Sequence, residues 1–256
     1  MANSKSWAKI FRDHNIDKHD FSKKPFILTA EDIKRSCQRF KKTAEKEVRI
    51  LCKQDTRESR PKVFRDNNLF LLPIKNGIYN IIKGEGYIDM PEIKKEIAIY
   101  NSKLNFHLDS SEIGNSEMQH LDFAYASSLI RTFMDDVSLV LTIRGRKYTP
   151  EFNFLVRKQN ISVQSVQTEV DAGYEGKEQI VLIEAKSPGI KNTIIRQLYY
   201  PFRQWQNCTN KKVITLFFEK DQKENSYSIW QFQFKNVKDY NSIKLVKSGK
   251  YRIIEK

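Results

Sequence analysis

The sequence predicts a mixed α/β protein in two parts, a basic α+β module over residues 1–105 and a mixed sheet flanked by helices over residues 106–256. Three observations predict this. Short helical patterns precede a strong hairpin pattern in the first part. A strand–helix–strand run at 180–218 implies a parallel pair with a right-handed crossover. The strands before that run are separated by short turns, which join antiparallel neighbours.

Taken in order, residues 5–13 place Trp7, Ile10 and Phe11 at helical spacing. A second helix starts at Thr29, capped by that residue with Asp32 three places on, and carries Ile33, Cys37 and Phe40 on one face. In EVRILCKQDTRESRPKVF the first half fits a strand or a helix end, and the second half is a polar loop. NLFLLPIKNGIYNIIKGEG is a hairpin pattern, with Asn76-Gly77 as a turn calling for positive φ at both positions. Helices followed by a hairpin predict a winged-helix-like module.

The polar stretch YNSKLNFHLDSSEIGNS marks the boundary. Ser116 and Gln119 then form a capping box for a helix whose stripe is Met118, Leu121, Tyr125, Leu129 and Phe133, ending at Asp135-Asp136. Strands are expected at 137–144, 151–157, 161–171 and 180–186. Residues 191–206 read as a helix bent by Pro201, and KVITLFF at 212–218 as a buried strand. The last forty residues read as further strands and turns.

Composition narrows the function classes. The 256 residues are 39% hydrophobic, enough for a core, and hold no run of 18 apolar residues to span a membrane. A charged N-terminus without an apolar signal region, and three dispersed cysteines, point to the cytosol and away from a disulfide frame or zinc site. The formal net charge is +14, and residues 1–65 carry +9 of it. Such a bias fits a polyanion, either nucleic acid or an anionic membrane surface.

The stretch IVLIEAKSP at 180–188 ends an apolar strand in two opposite charges, Glu184 and Lys186. Residues i and i+2 share a strand face, so these two project together. On the preceding strand Gln167, Glu169 and Asp171 share a face. If the strands are neighbours, Asp171, Glu184 and Lys186 converge. Convergent carboxylates favour a divalent cation, and Mg²⁺ suits carboxylate oxygens, a backbone carbonyl and waters. A lysine beside the metal can orient an attacking water, or deprotonate it if its own pKa is lowered. These parts suit metal-assisted hydrolysis of a phosphodiester.

Asp171, twelve intervening residues and Glu184-Ala185-Lys186 resemble the signature of the PD-(D/E)XK nucleases, with Val170 where that pattern has proline. The following helix, with Gln197 in RQLYYPFRQW, is similar to one packed beside the active site in several such nucleases. The resemblance spans roughly residues 116–219, and the whole chain looks like a type II restriction endonuclease. The resemblance implies a restriction-endonuclease-like mixed sheet and a site-specific, Mg²⁺-dependent cut in double-stranded DNA that leaves 5′-phosphates, with Mn²⁺ able to substitute. Asp171, Glu184 and the Ala185 carbonyl would hold the metal, and Lys186 would act on water. Glu117 or Glu112 would supply a further acid, and Gln197 would assist. A homodimer is expected for symmetric cleavage. A repair nuclease or junction resolvase of the same superfamily, and a non-catalytic DNA-binding protein with a decayed nuclease fold, are the rivals.

For DNA contacts the loop residues Arg57, Arg60 and Lys62 are expected to reach a groove, and Arg144, Arg146 and Lys147 to grip phosphates. The four histidines show no metal-ligand spacing, and no glycine-rich phosphate loop is present.

Overall fold

A computed structural model describes residues 3–111 and 113–255. The N-terminal part comprises α1 (Asn3–Asp13), β1 (Phe26–Thr29), α2 (Ala30–Cys37), α3 (Thr43–Lys46), α4 (Val48–Leu51), α5 (Lys62–Asp66), β2 (Leu69–Lys75) and β3 (Ile78–Lys83). The amphipathic spacing of α1 buries Trp7, Ile10 and Phe11 against Ile33, Cys37, Val48, Leu51 and Phe64. The Thr29–Asp32 capping box forms as its spacing requires: the Asp32 amide donates to Thr29 Oγ1 at 3.1 Å and the Thr29 amide donates back to Asp32 Oδ2 at 3.1 Å. A three-stranded sheet, in the order β1-β3-β2, closes this core.

The hairpin differs from its expected turn. Gly77 takes positive φ (71°), but Asn76 does not. Lys75 still pairs with Ile78 across a two-residue turn, and the bulge between Pro73 and Lys75 re-aims the strand so that Gly77 alone takes the left-handed conformation.

The remainder begins with β4 (Tyr87–Asp89), β5 (Ala98–Asn101), α6 (Glu117–Ala126) and α7 (Leu129–Met134). It continues through β6 (Val140–Tyr148), β7 (Phe152–Val156), β8 (Gln159–Val163), β9 (Gln167–Glu175) and β10 (Gln179–Lys186). It ends with β11 (Asn192–Ile194), α8 (Arg196–Gln206), β12 (Lys212–Asp221), β13 (Ser226–Phe234) and β14 (Ile243–Ile254). A seven-stranded sheet runs β5-β14-β13-β12-β10-β9-β6. The β10–β12 pair is parallel, as the intervening helix requires, and β6, β9 and β10 are antiparallel neighbours.

Alternation along β10 sends Ile180 and Leu182 to one face, under Leu198, Tyr199 and Phe202 of α8. It sends Val181, Ile183 and Ala185 to the other, under Leu121 and Ala124 of α6 and Ile130 of α7. The protein is therefore mixed α/β, with a large mixed sheet between helical layers.

Three expected elements are subdivided. Ser128, at φ 68°, breaks the helix after Ser116 into α6 and α7. Ser165, at φ 54°, separates β8 from β9, and β8 turns away to pair with β7. The start of the expected helix at 191–206 is instead β11, drawn into pairing with β4. β5 also pairs with a late strand, β14, so the stretch before residue 105 is tied to the large sheet.

Candidate active site

β9 and β10 pair from Glu175 opposite Ile180 to Ala172 opposite Ile183, and the ladder stops there. The next positions on each strand are Asp171 and Glu184. On its other edge β9 pairs with β6 throughout, from Glu175 opposite Val140 to Gln167 opposite Tyr148, with register shifts near the point where the β10 ladder ends. A notch opens where β9 parts from β10. The Asp171 side chain enters it and accepts a 2.8 Å hydrogen bond from the Ala185 amide, taking the place of a strand carbonyl. That bond seats the carboxylate beside Glu184-Ala185-Lys186.

Glu184 is 8% exposed, and its Oε1 lies 2.5 Å from Lys186 Nζ. Burial pushes the Glu184 carboxyl up to about 7, against the opposing pull of Lys186, while the Asp171 charge adds to the rise. Burial also raises Asp171, offset by the Ala185 amide and Lys186, and reinforced by the charges of Glu117 and Glu169. Lys186 loses basicity by burial, but the Glu184 carboxylate more than restores it, and its pKa is raised. The condition for proton abstraction, a lowered lysine pKa, is not met here. The Glu184 carboxylate beside it holds Lys186 in its ammonium form.

Two further expected residues come to this notch. Glu117, in the first turn of α6, accepts a 2.8 Å hydrogen bond from the hydroxyl of Ser187. Gln197 lines a crevice with Glu169, Glu184 and Thr215, and its amide oxygen accepts from the Thr193 hydroxyl at 2.7 Å. Glu112 lies outside the described residues.

The expected DNA-contact residues divide. Arg60 is 8% exposed: it donates to the carbonyls of Arg57 and Leu69 at 3.2 and 3.0 Å and lies 4.9 Å from the Tyr87 ring centre. It is a structural strut and not a free loop residue. Arg57 is likewise committed, paired with Glu85 at 3.3 Å and with Asp89. Lys62 is exposed on α5, paired with Asp66 at 2.5 Å. Arg144, Arg146 and Lys147 lie on β6, an edge strand, where Arg144 pairs with Asp122 and Arg146 with Glu169 at 3.4 Å. Lys147 sits 5.4 Å from the Trp205 ring centre.

Sequence reasoning missed Asp55 and Arg196. The Asp55 carbonyl accepts from the Ile194 amide at 2.8 Å, and its carboxylate lies 3.9 Å from Arg196. The charge of Arg196 lowers the Glu184 carboxyl, and that of Asp55 raises Lys186. A separation of more than 100 residues carries no local sequence signal for this contact.

Residues 82–252 match the family described as a domain of unknown function (DUF6997). The chain belongs to that family. Residues 4–81 match a second description, domain of unknown function (DUF6996). No curated protein and no solved structure matches the chain. Asp171, Glu184, Lys186 and Gln197 all fall in the DUF6997 part, whereas Asp55 comes from the other.

Among the described residues no group of three or more His, Cys, Asp or Glu stands ready to hold a metal. The donor set that can do so is smaller: two acid side chains with raised pKa values, sharing one ammonium, and main-chain oxygen. This fits Mg²⁺, which takes one or two carboxylates and keeps waters or substrate phosphate as its remaining ligands. Glu184 would have to exchange its contact with Lys186 for the ion.

Proposed function

We propose that the protein is a Mg²⁺-dependent endonuclease that cuts double-stranded DNA at specific sites, as type II restriction enzymes do. The observation that carries this reading is the Asp171–Ala185 hydrogen bond, which joins the acid of one strand to the Glu-x-Lys of its neighbour. The helix–three-strand–helix–strand order of α6, β6, β9, β10, α8 and β12 supports the restriction-endonuclease-like assignment. Helices followed by the β2–β3 hairpin support a winged-helix-like N-terminal module.

Asp171, Glu184 and the carbonyl of Ala185 would hold Mg²⁺. When bound, the ion would neutralise the paired carboxylates and polarise a phosphate and its attacking water. Lys186, protonated, donates toward a phosphate oxygen or water and orients it. Gln197, whose oxygen is taken by Thr193, has its amide NH₂ left to donate into the same crevice. The β6 cations hold the backbone next to the notch. A cytosolic homodimer, with two notches related by symmetry, would cut both strands and leave 5′-phosphates.

Plasmid digestion with Mg²⁺ or Mn²⁺ tests the reading. Discrete fragments with 5′-phosphate ends are expected from the wild type, and none from Asp171→Asn or Lys186→Met proteins that retain their circular dichroism. Cleavage confined to branched DNA would reassign the protein to structure-specific nucleases. DNA binding without nicking under either metal would end the catalytic reading.

A further inference from the structure

We infer that the outer face of α2–α4 is the surface on which the N-terminal part grips the phosphates of a DNA duplex. This assigns the contact to residues other than the 57–62 loop, and it shares with the nuclease reading only the choice of double-stranded DNA. Residues 34–49 hold seven bases, Lys34, Arg35, Arg39, Lys41, Lys42, Lys46 and Arg49, against two acids, Glu45 and Glu47. Five of the chain's +14 charges therefore lie in sixteen residues.

All seven bases are exposed. Among the described residues only Arg35 has an ion-pair partner, Asp32 at 2.7 Å. The cations of the 57–62 loop contrast with these: Arg57 and Lys62 are paired with carboxylates, and Arg60 is buried. The inner side of the same segment is fixed, because Ile33, Cys37, Val48 and Leu51 enter the N-terminal core. A net positive charge held on a packed scaffold, with few ion-pair partners of its own, attracts a polyanion.

The surroundings select a duplex. Ile50, 36% exposed, is the single exposed large apolar residue of this segment, too little to enter a membrane. Phe40 is half-buried, so no exposed aromatic platform offers itself to unstacked bases. What remains is a cluster in sequence of exposed cations, suited to backbone phosphates. Arg49 lies six residue steps from Asp55, which is bonded to β11 beside the notch. That length of chain reaches at most about 21 Å, less than one turn of B-DNA at about 34 Å. The separation of patch and notch is thus within the span of one duplex.

Binding of a 30-base-pair duplex to the full chain, followed by fluorescence anisotropy in EDTA across a KCl series, tests this without requiring cleavage. The Lys41→Gln/Lys42→Gln/Lys46→Gln/Arg49→Gln protein should bind at least tenfold more weakly at 100 mM salt. Its plot of log K against log salt should be shallower by roughly 0.9 for each phosphate no longer neutralised, about 3 to 4 in all. Lys158→Gln/Lys235→Gln/Lys238→Gln/Lys244→Gln removes equal charge elsewhere and should leave the slope near that of the wild type. If the first variant misfolds by circular dichroism, Lys41→Gln/Lys42→Gln should show about half the change in slope. Equal slopes, equal weakening in both quadruple variants, or binding to anionic vesicles but not DNA would overturn the inference. A wild type that binds with the expected salt dependence yet never cuts would remove the nuclease reading and leave this surface standing.

Discussion

Glu184→Gln gives the most direct measure of the electrostatics at the notch. The carboxyl is moved from its ordinary value of 4.5 to about 7, chiefly by burial. A displacement of that size is worth about 3 kcal/mol. Because the folded-state value is the higher one, between pH 4.5 and 7 the folded protein holds a proton that the unfolded chain has released. Stability contributed by this group is therefore present below pH 4.5, lost as pH rises, and fully lost above about 7. Burial raises Asp171 as well, in the same sense. Glutamine cannot titrate, so the variant should track the wild type at pH 4 and exceed it by about 3 kcal/mol at pH 8, roughly 6–12 °C in melting temperature for a chain of this size. Urea and thermal unfolding in EDTA at half-unit pH steps provides the comparison. Mg²⁺ added at pH 8 should then stabilise the wild type more than the variant. Parallel pH profiles for the two proteins would refute both the burial of this charge and the account of the site built on it.

Two other perturbations separate scaffold from site. Arg60→Ala should cost about 2–4 kcal/mol in urea unfolding, because it strips buried carbonyls of their donor, with DNA affinity unchanged in whatever fraction stays folded. Asp55→Asn keeps the main-chain bond to Ile194 but removes the charge facing Arg196 and Lys186. Under the nuclease reading it should lower kcat about tenfold, or ~1.4 kcal/mol, with KM unchanged and the rate recovered in Asp55→Glu; a change in KM alone would make the residue merely structural.

What was legible in the sequence is what depends on period and on short range. Strand alternation placed Glu184 and Lys186 on one face of β10, and local chemistry fixed the caps at Thr29 and Ser116. The helix between two apolar strands required β10 and β12 to be parallel. Burial of charge was not legible. Arg60 sits in a run of polar residues that reads as an exposed loop, yet the ring of Tyr87 and the carbonyl of Leu69 enclose it. Nor do single left-handed residues announce themselves when they are serine, as at Ser128 and Ser165, since serine adopts many conformations and only the tertiary fold imposes this one.

The position of the notch follows from the early end of the β9–β10 ladder. β9 pairs with β6 along its whole length but with β10 only from Glu175 to Ala172, and the β6–β9 register slips near where the β10 ladder ends. A backbone amide is then left without its strand partner at Ala185, and an aspartate side chain takes that partner's place. An apolar residue at position 171 would leave that amide buried and unpaired, costing about 1–3 kcal/mol. A structural need alone would thus be met by asparagine or aspartate. What asparagine cannot supply is the second negative charge beside Glu184, a charge that burial makes costly in the absence of a cation. Asp171→Asn, with stability equal to or above that of the wild type in EDTA, would therefore assign the charge to function; a large loss of stability would assign it to the fold.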